Sequence, residues 1–417
     1  MNTLQTNILP SSSIFTKEEV QKFRDETPGT RNVIHLNNAG AGLMPDVVTK
    51  AQLDHIRLES EIGGYEAADL KSDTICAFYD QAALLFNCKP SNIAFTASAT
   101  DSFTRALSSI PFKQGDIILT DKEDFVSNQI QFLSLQRRLG IEIIHINNAP
   151  AGGVDLNDLE EKLKKYQPRL FAITHIPTNS GLVQPVNEIA KIFSGYSQRH
   201  YEKTWYILDA CQSAGQMKLD VQSLHCDFLS LTGRKYLRGP RGTGALYISD
   251  KVLKAGLEPM FIDMRGAEWT EKGKYRQQPD ARRFEDWEFA YSTVIGTKAA
   301  IKYCRNIGED KIWKQVKFLS TAIRTELSEM DGVMMMDRGM EISGSVTFHI
   351  ARSRPEFIVQ ELLRRKINVV ASYRAYGLID FDEKGVEWVI RVSPHYYNTM
   401  EEIDIFIEAL KEIIKMK

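Results

Sequence analysis

A lysine that follows a predicted strand and precedes a run of glycines is the first residue of this sequence with the means for covalent chemistry. In SLTGRKYLRGPRGTG, residues 230–244, small and hydroxyl residues lead to Lys235 and then to Gly239, Gly242 and Gly244. Such a lysine can hold a carbonyl compound as a Schiff base when its surroundings keep the amine unprotonated. A lysine of a basic surface loop is the alternative. A second segment, LDACQSAG at 208–215, closes the apolar run Trp205, Tyr206, Ile207 and Leu208 with Asp209. A carboxylate there either caps a helix or pairs with a charged ligand. One βα step apart, the two residues meet the demands of pyridoxal phosphate. That cofactor needs a lysine for its aldehyde and a carboxylate that keeps its pyridine nitrogen protonated, so that the ring can accept the electrons of a substrate carbanion.

The elements that must position these residues are legible as short β-rich runs: DIILT (116–120), IEIIHI (141–146), LFAITH (170–175), WYILDA (205–210), FLSLT (228–232) and ALYIS (245–249). They alternate with helical or loop stretches, the pattern of βαβ units around a buried, largely parallel sheet. Ligands of such sheets sit beyond the carboxyl ends of the strands, which directs His175, Asp209 and Thr232 to one crevice. The charged, aromatic stretch TEKGKYRQQPDARRFEDWE (270–288) has no clear period and reads as an irregular loop at a domain edge. A helix follows from about Ala290, then a helix near 310–330, a strand in 343–351 and a helix in 355–366. The strands INVVAS and EWVIRVS and an amphipathic helix from Thr399 complete a small α+β domain.

DACQSAG followed by TGRKYLRGPRGTGALY resembles the cofactor signature of the class V aminotransferase family, which includes cysteine desulfurases, selenocysteine lyases, kynureninases and isopenicillin epimerases. The similarity runs from about Asn38 to Arg391 and is most specific at the lysine motif. It implies an α/β chain of PLP fold type I. Residues 1–30 would form an N-terminal segment joining the small domain, 31–285 the large PLP-binding domain and 286–417 the small C-terminal domain. It also implies a cofactor set. Lys235 would be the Schiff-base lysine and proton shuttle, Asp209 the partner of the pyridine nitrogen, and Gln212 the partner of the ring hydroxyl.

Further residues follow from the same resemblance. Ala99 and Thr100 in FTASATDSF would bind the cofactor phosphate at a helix start, a placement whose free amides suit an anion; a plain helix cap is the alternative. Thr232 and Arg234 complete that cradle, with Arg234 where desulfurases carry histidine. Phe125 in TDKEDFVSNQ would cover one ring face, or serve only as a core aromatic. Thr178 and Asn179 in HIPTNSGLVQP match the loop on the cofactor's other side, and the family's asparagine could fall on either. Arg391 in VIRVSPHYYNT would take a substrate carboxylate, assisted by Asn38 in LNNAGAG. Arg374, in the loop of Ser372, Tyr373 and Tyr376, would meet an acidic or polar substrate side chain, or be a solvated loop residue. His175 and His395 read as structural.

Bulk properties set the surrounding expectations. The 417 residues exceed one typical domain, and 43% hydrophobic with 25% charged residues is ordinary globular composition. A formal charge of -2 supplies no basic field for nucleic acid or an anionic membrane, which leaves small-molecule chemistry. Five scattered cysteines without C-x-x-C imply reduced thiols, a cytoplasmic setting and no metal site. MNTLQTNILPSSSIFTKEEV lacks the features of a signal peptide, and no apolar run is long enough to span a membrane. The family assembles composite sites from two subunits, which makes a homodimer the expected state.

The core motifs do not choose the reaction. Cysteine desulfurases need a mobile cysteine in the loop that here reads VVASYRAYGLIDF, and no cysteine lies beyond Cys304. Without a thiolate nothing can accept a sulfur atom. GGYEAAD, GRKYLRGPRGTG and RRFEDWE instead resemble carbon–sulfur lyases that cleave S-substituted cysteines, with an aminotransferase or epimerase as alternatives. A nucleotide-binding α/β protein is the remaining reading, but RGPRGTG is neither G-x-G-x-x-G after a first strand nor a P-loop.

Overall fold

The computed structural model describes residues 13–199 and 204–416. The leader reading over residues 1–12, and with it the first part of the N-terminal segment, lies outside them. Seven strands form the main sheet: β1 (Ile93–Thr96), β2 (Ile117–Thr120), β3 (Glu142–His145), β4 (Leu170–Thr174), β5 (Trp205–Asp209), β6 (Phe228–Thr232) and β7 (Gly244–Ile248). Their order is β1-β7-β6-β5-β4-β2-β3. Strands β2 to β6 pair in parallel, while β7 is antiparallel to both its neighbours.

The apolar runs are uninterrupted because both faces of this sheet are covered. Phe171, Ile173, Tyr206 and Leu208 face one core with Ile189, Phe193 and Phe78 of the flanking helices. The alternate residues Leu170, Ala172, Trp205 and Ile207 face the other with Phe103 and Phe132. The chain is thus an α/β protein with a mostly parallel central sheet between helices.

A second body carries an antiparallel sheet of Val333–Met335, Val346–Ile350, Trp388–Val392 and Val370–Tyr373, in that order. Its core unites Leu319, Ile323, Ile358, Leu362 and Phe348 with the last helix, Met400–Lys415. That helix opens with a capping box from Thr399 to Glu402 and buries Ile403, Phe406, Leu410 and Ile413. Each such side chain contributes about 1.5–3 kcal/mol. The N-terminal helix Lys17–Asp25 lies against this end of the chain, where Arg24 pairs with Glu402 at 2.8 Å. Ile34–His35 pairs in parallel with Ile367–Asn368.

Two features differ from the sequence reading. The change of core falls inside the helix Glu309–Ser328, since Ile312 and Val316 join the large core while Leu319 and Ile323 join the small one. The helix Tyr291–Ile307, placed after the expected boundary at 286, therefore packs with the large body through Val294, Ile301 and Cys304. Amphipathic period shows that a helix buries a face, not which of two sheets receives it. The stretch from 270 also contains order: Ala267–Glu271 and Lys274–Gln277 form a hairpin with Trp269 opposite Tyr275. Neither face of that hairpin is buried, so no alternation of polar and apolar residues marked it. Among the described residues no helix is long and apolar enough to cross a membrane.

Candidate functional site

The carboxyl ends of β4, β5 and β6 are aligned by their ladder, with Thr174 opposite Asp209 and Asp209 opposite Ser230. A cavity of about 240 Å³ opens at this edge. Its floor is Thr174, Asp209 and Thr232, and its walls include Phe125, Thr178, Gln212, Arg234 and Lys235. Ala99 and Thr100 close one end at the start of the helix Ala99–Ser108. That helix start is held tightly against β7, because a Cβ on Gly244 would stand 2.6 Å from the Ser98 carbonyl carbon. Only glycine permits that approach.

The donor set fits an anionic aromatic aldehyde such as pyridoxal phosphate. Ser98 caps the helix through the Asp101 amide, which leaves the first two amides, of the cavity-lining Ala99 and Thr100, without intrahelical partners. Arg234 and Arg241 border the same space, and neither forms an ion pair among the described residues. Gln212 donates Nε2 to the Ala39 carbonyl at 3.2 Å, while its buried Oε1 has no partner. Asp209 accepts from the Cys211 amide at 2.9 Å and from Asn128 Nδ2 at 3.3 Å. Lys235 is buried, and loss of hydration pushes its amine down to about 8, toward the neutral nucleophilic form.

Arg391 is a further cation without an ion pair among the described residues. It is buried, donates Nη1 to the Thr178 carbonyl at 3.1 Å and Nη2 to Asn37 Oδ1 at 3.4 Å, and leaves Nε without a partner. Burial lowers it to about 10, so it remains charged at neutral pH. A buried guanidinium without a carboxylate is costly unless an anion completes it.

Three expected residues are engaged elsewhere. Asn38 donates to the carbonyls of Ser393 (2.9 Å) and His35 (3.3 Å) and accepts from the Tyr397 hydroxyl (2.6 Å), so its amide is consumed in packing. Asn37 bridges Ser393 in strand-like pairing, and successive side chains of extended backbone point to opposite sides; Asn37 therefore meets Arg391 instead. Asn179 accepts from Ser372 and donates to the Tyr376 carbonyl at 2.9 Å, tying the loop 372–376 down, whereas Thr178 lines the cavity. Arg374 is partly exposed and paired with Asp382, away from the cavity lining.

The histidines are held in packing. His395 donates Nε2 to the Tyr236 carbonyl and accepts the Tyr396 amide on Nδ1. His175 is buried beside β5, where loss of hydration lowers it to about 4 and keeps it neutral. Lining residues outside the sequence reading include Asn128, Cys211 and Arg241. The D-x-x-x-N spacing of Asp124 and Asn128, one helical turn apart, was the available signal for the first.

The sequence profile described as Aminotransferase class-V matches residues 33–406. The chain belongs to this family. Its relatives include the "Probable cysteine desulfurase" of Pyrococcus abyssi, 29% identical over 95% of this chain and 98% of that protein. Among solved structures, the apo cysteine desulfurase of Thermococcus onnurineus NA1 superposes with a TM-score of 0.86 at 26% identity, covering 95% of this chain and 98% of that one. The cystine C–S lyase C-DES, solved with cysteine persulfide and also with glycine covalently linked to its PLP cofactor, has the same fold. In the persulfide complex the TM-score is 0.81 at 24% identity, covering 93% of this chain and 99% of that one. This class-V aminotransferase family member is therefore an enzyme of PLP fold type I, with pyridoxal 5'-phosphate as its cofactor.

Proposed function

We propose that the enzyme cleaves the carbon–sulfur bond of an S-substituted L-cysteine by β-elimination. The observation that carries this reading is the lack of a competent sulfur acceptor. Cysteine is absent beyond Cys304, and the one thiol lining the cavity, Cys211, is pushed well above the usual thiol range by burial and by Asp209 beside it. The thiolate is the form that attacks sulfur, so a persulfide-forming desulfuration has no nucleophile here. The unpaired Arg391 favours a substrate with a free α-carboxylate, which a guanidinium can accept bidentately.

In this reading Lys235 would hold the cofactor at rest, and its neutral Nζ, once free, would remove the substrate α-proton. When bound, pyridoxal phosphate supplies an electron sink for the charge left at the α-carbon. Asp209 would pair with the ring nitrogen, and Gln212 Oε1 would accept from the ring hydroxyl. The amides of Ala99 and Thr100, with Thr232 and Arg234, would hold the phosphate, and Phe125 would cover a ring face. Thr178 fixes Arg391 through its carbonyl. The sulfur would depart as a thiolate that takes up a proton, or as a sulfenate where the substrate is already an S-oxide.

Transamination or epimerisation would use the same Lys235 proton with a different destination. Products decide: cysteine conjugates, L-cysteine, alanine and glutamate are each given to the holoenzyme. Pyruvate and ammonia from the conjugates are expected. Alanine from cysteine would instead assign the desulfurase activity named for the relatives, keto acid with pyridoxamine phosphate an aminotransferase, and solvent deuterium entering the α-carbon with inversion an epimerase.

We further propose a homodimer. Phe261 (85% exposed) and Trp269 (78%), with Met260 and Met264, form an apolar surface around the hairpin that a second copy would cover. Sedimentation of an active monomer would refute it.

A further inference from the structure

The segment TDKED, which leads from β2 to the helix Val126–Leu139, buries three carboxylates, of Asp121, Glu123 and Asp124. Nothing in the proposed chemistry uses them. Asp121 and Glu123 keep oxygens without any partner, and burial pushes both upward, toward the neutral form. Asp124 is different. Its Oδ1 accepts from Thr174 Oγ1 at 2.6 Å, the Phe125 amide at 2.7 Å and Asn128 Nδ2 at 2.9 Å. Its Oδ2 accepts from Gln129 Nε2 at 3.0 Å, with Thr120 Oγ1 at 3.4 Å. Burial pushes Asp124 up to about 6, with the donors from Thr174, Asn128 and Gln129 opposing it, so above that value the group is an ionised acceptor surrounded by donors.

The bridge is Asn128, whose Nδ2 reaches Asp124 Oδ1 on one side and Asp209 Oδ2 on the other. An amide nitrogen has two hydrogens, and two carboxylates can only accept, so turning the amide over would set its oxygen against both. Phe125 and Thr174, which donate to Asp124, also line the cavity. The carboxylate thus organises cavity-lining groups on several sides without itself lining the cavity.

We propose that Asp124 is a positioning residue that acts through Asn128: it fixes the Asp209 carboxylate as an acceptor facing the cofactor's ring nitrogen and adds a second negative charge that retains the proton there. This rests on the pairing of Asp209 with that nitrogen proposed above. The charged groups around this pair are Asp121, which accepts from Gln184 Nε2 at 3.1 Å, and the cations Arg234, Lys235 and Arg241, which line the cavity with Asp209.

The test is the nitrogen-15 resonance of the ring in holoenzyme reconstituted with ring-labelled pyridoxal phosphate, followed across pH beside the cofactor dissociation rate. In Asp124→Asn the ring nitrogen is expected to lose its proton at least about one pH unit earlier than in the parent protein, as removal of a nearby charge in a medium of intermediate dielectric requires. Cofactor release should accelerate several-fold. Asn128→Ala, which keeps the charge but cuts the bridge, should shift the resonance in the same direction, and it decides the matter if Asp124→Asn does not fold. A purely structural role would lower thermal stability and leave the resonance in place, which would overturn the proposal. Asp209→Asn separates the premise: a ring nitrogen still protonated in that variant would refute the pairing itself. A lost proton in Asp209→Asn, with none lost in Asp124→Asn or Asn128→Ala, would refute Asp124 alone.

Discussion

On the large-body side of the cavity, Asp209 and Thr232 stand at the ends of strands whose parallel ladder fixes their height and direction, and Lys235 follows three residues after one of them. Elsewhere around the site Arg391 arrives on a strand, while Asn179 comes from the loop after β4, Arg374 from a single 3-10 turn and Asn38 from the turn after the bridging Asn37. The first group lines the cavity; of the second, Arg391 alone keeps a buried donor without a partner. A strand end constrains both backbone and side-chain direction. A loop leaves the side chain free to find the nearest partner, as Arg374 finds Asp382 and Asn179 finds Ser372.

Substitutions on the two sides test this contrast. Lys235→Ala should lower turnover by about 10³-fold or more, since both the covalent link and the proton transfer depend on one amine. Steady-state and single-turnover rates of the reconstituted variant check it. Arg391→Ala should reduce kcat/KM by about 100-fold for substrates with a free α-carboxylate, and Arg391→Lys should recover only part of that, because an ammonium cannot form the paired contact. Equal losses for carboxylate and amide substrates would remove Arg391 from the substrate side.

The buried amine also leaves a signature in stability. In the cofactor-free chain Lys235 titrates at about 8, below the 10.5 of a free lysine. Between those values the unfolded chain binds more protons. Stability from this site therefore rises as pH climbs through that window, by up to about 3 kcal/mol, and is lost as pH falls. Denaturant midpoints of the parent apoprotein and Lys235→Met should diverge in slope across that window. Asn38→Ala should cost about 2 kcal/mol of stability through its three buried hydrogen bonds. Arg374→Ala should leave kcat/KM within about twofold, as expected of a partly exposed ion pair. A large KM effect at Arg374 would reverse the contrast between the two sides.

The same contrast explains what the sequence could disclose. Apolar runs ending in Asp209 and Thr232 declare both a buried parallel strand and the edge where ligands gather, whereas the run read through to His175 places Thr174, not His175, at the cavity. The small residues before the helix Ala99–Ser108 declare a helix start, and only the family resemblance offers its free amides to a phosphate. Asn37 and Asn38 are adjacent and chemically identical, so only the backbone bridge to Ser393 separates the one that meets Arg391 from the one consumed by packing. Asn128 was hidden because its role depends on a tertiary contact with Asp209, 81 positions away. The hairpin from Ala267 escaped notice because both its faces are exposed.

The site stands or falls on where the cofactor is attached. Borohydride reduction of the yellow holoenzyme, followed by proteolysis and mass mapping, should place the pyridoxyl phosphate adduct on Lys235 and on no other lysine. An adduct carried by a different lysine, with Lys235 unmodified, would contradict the account.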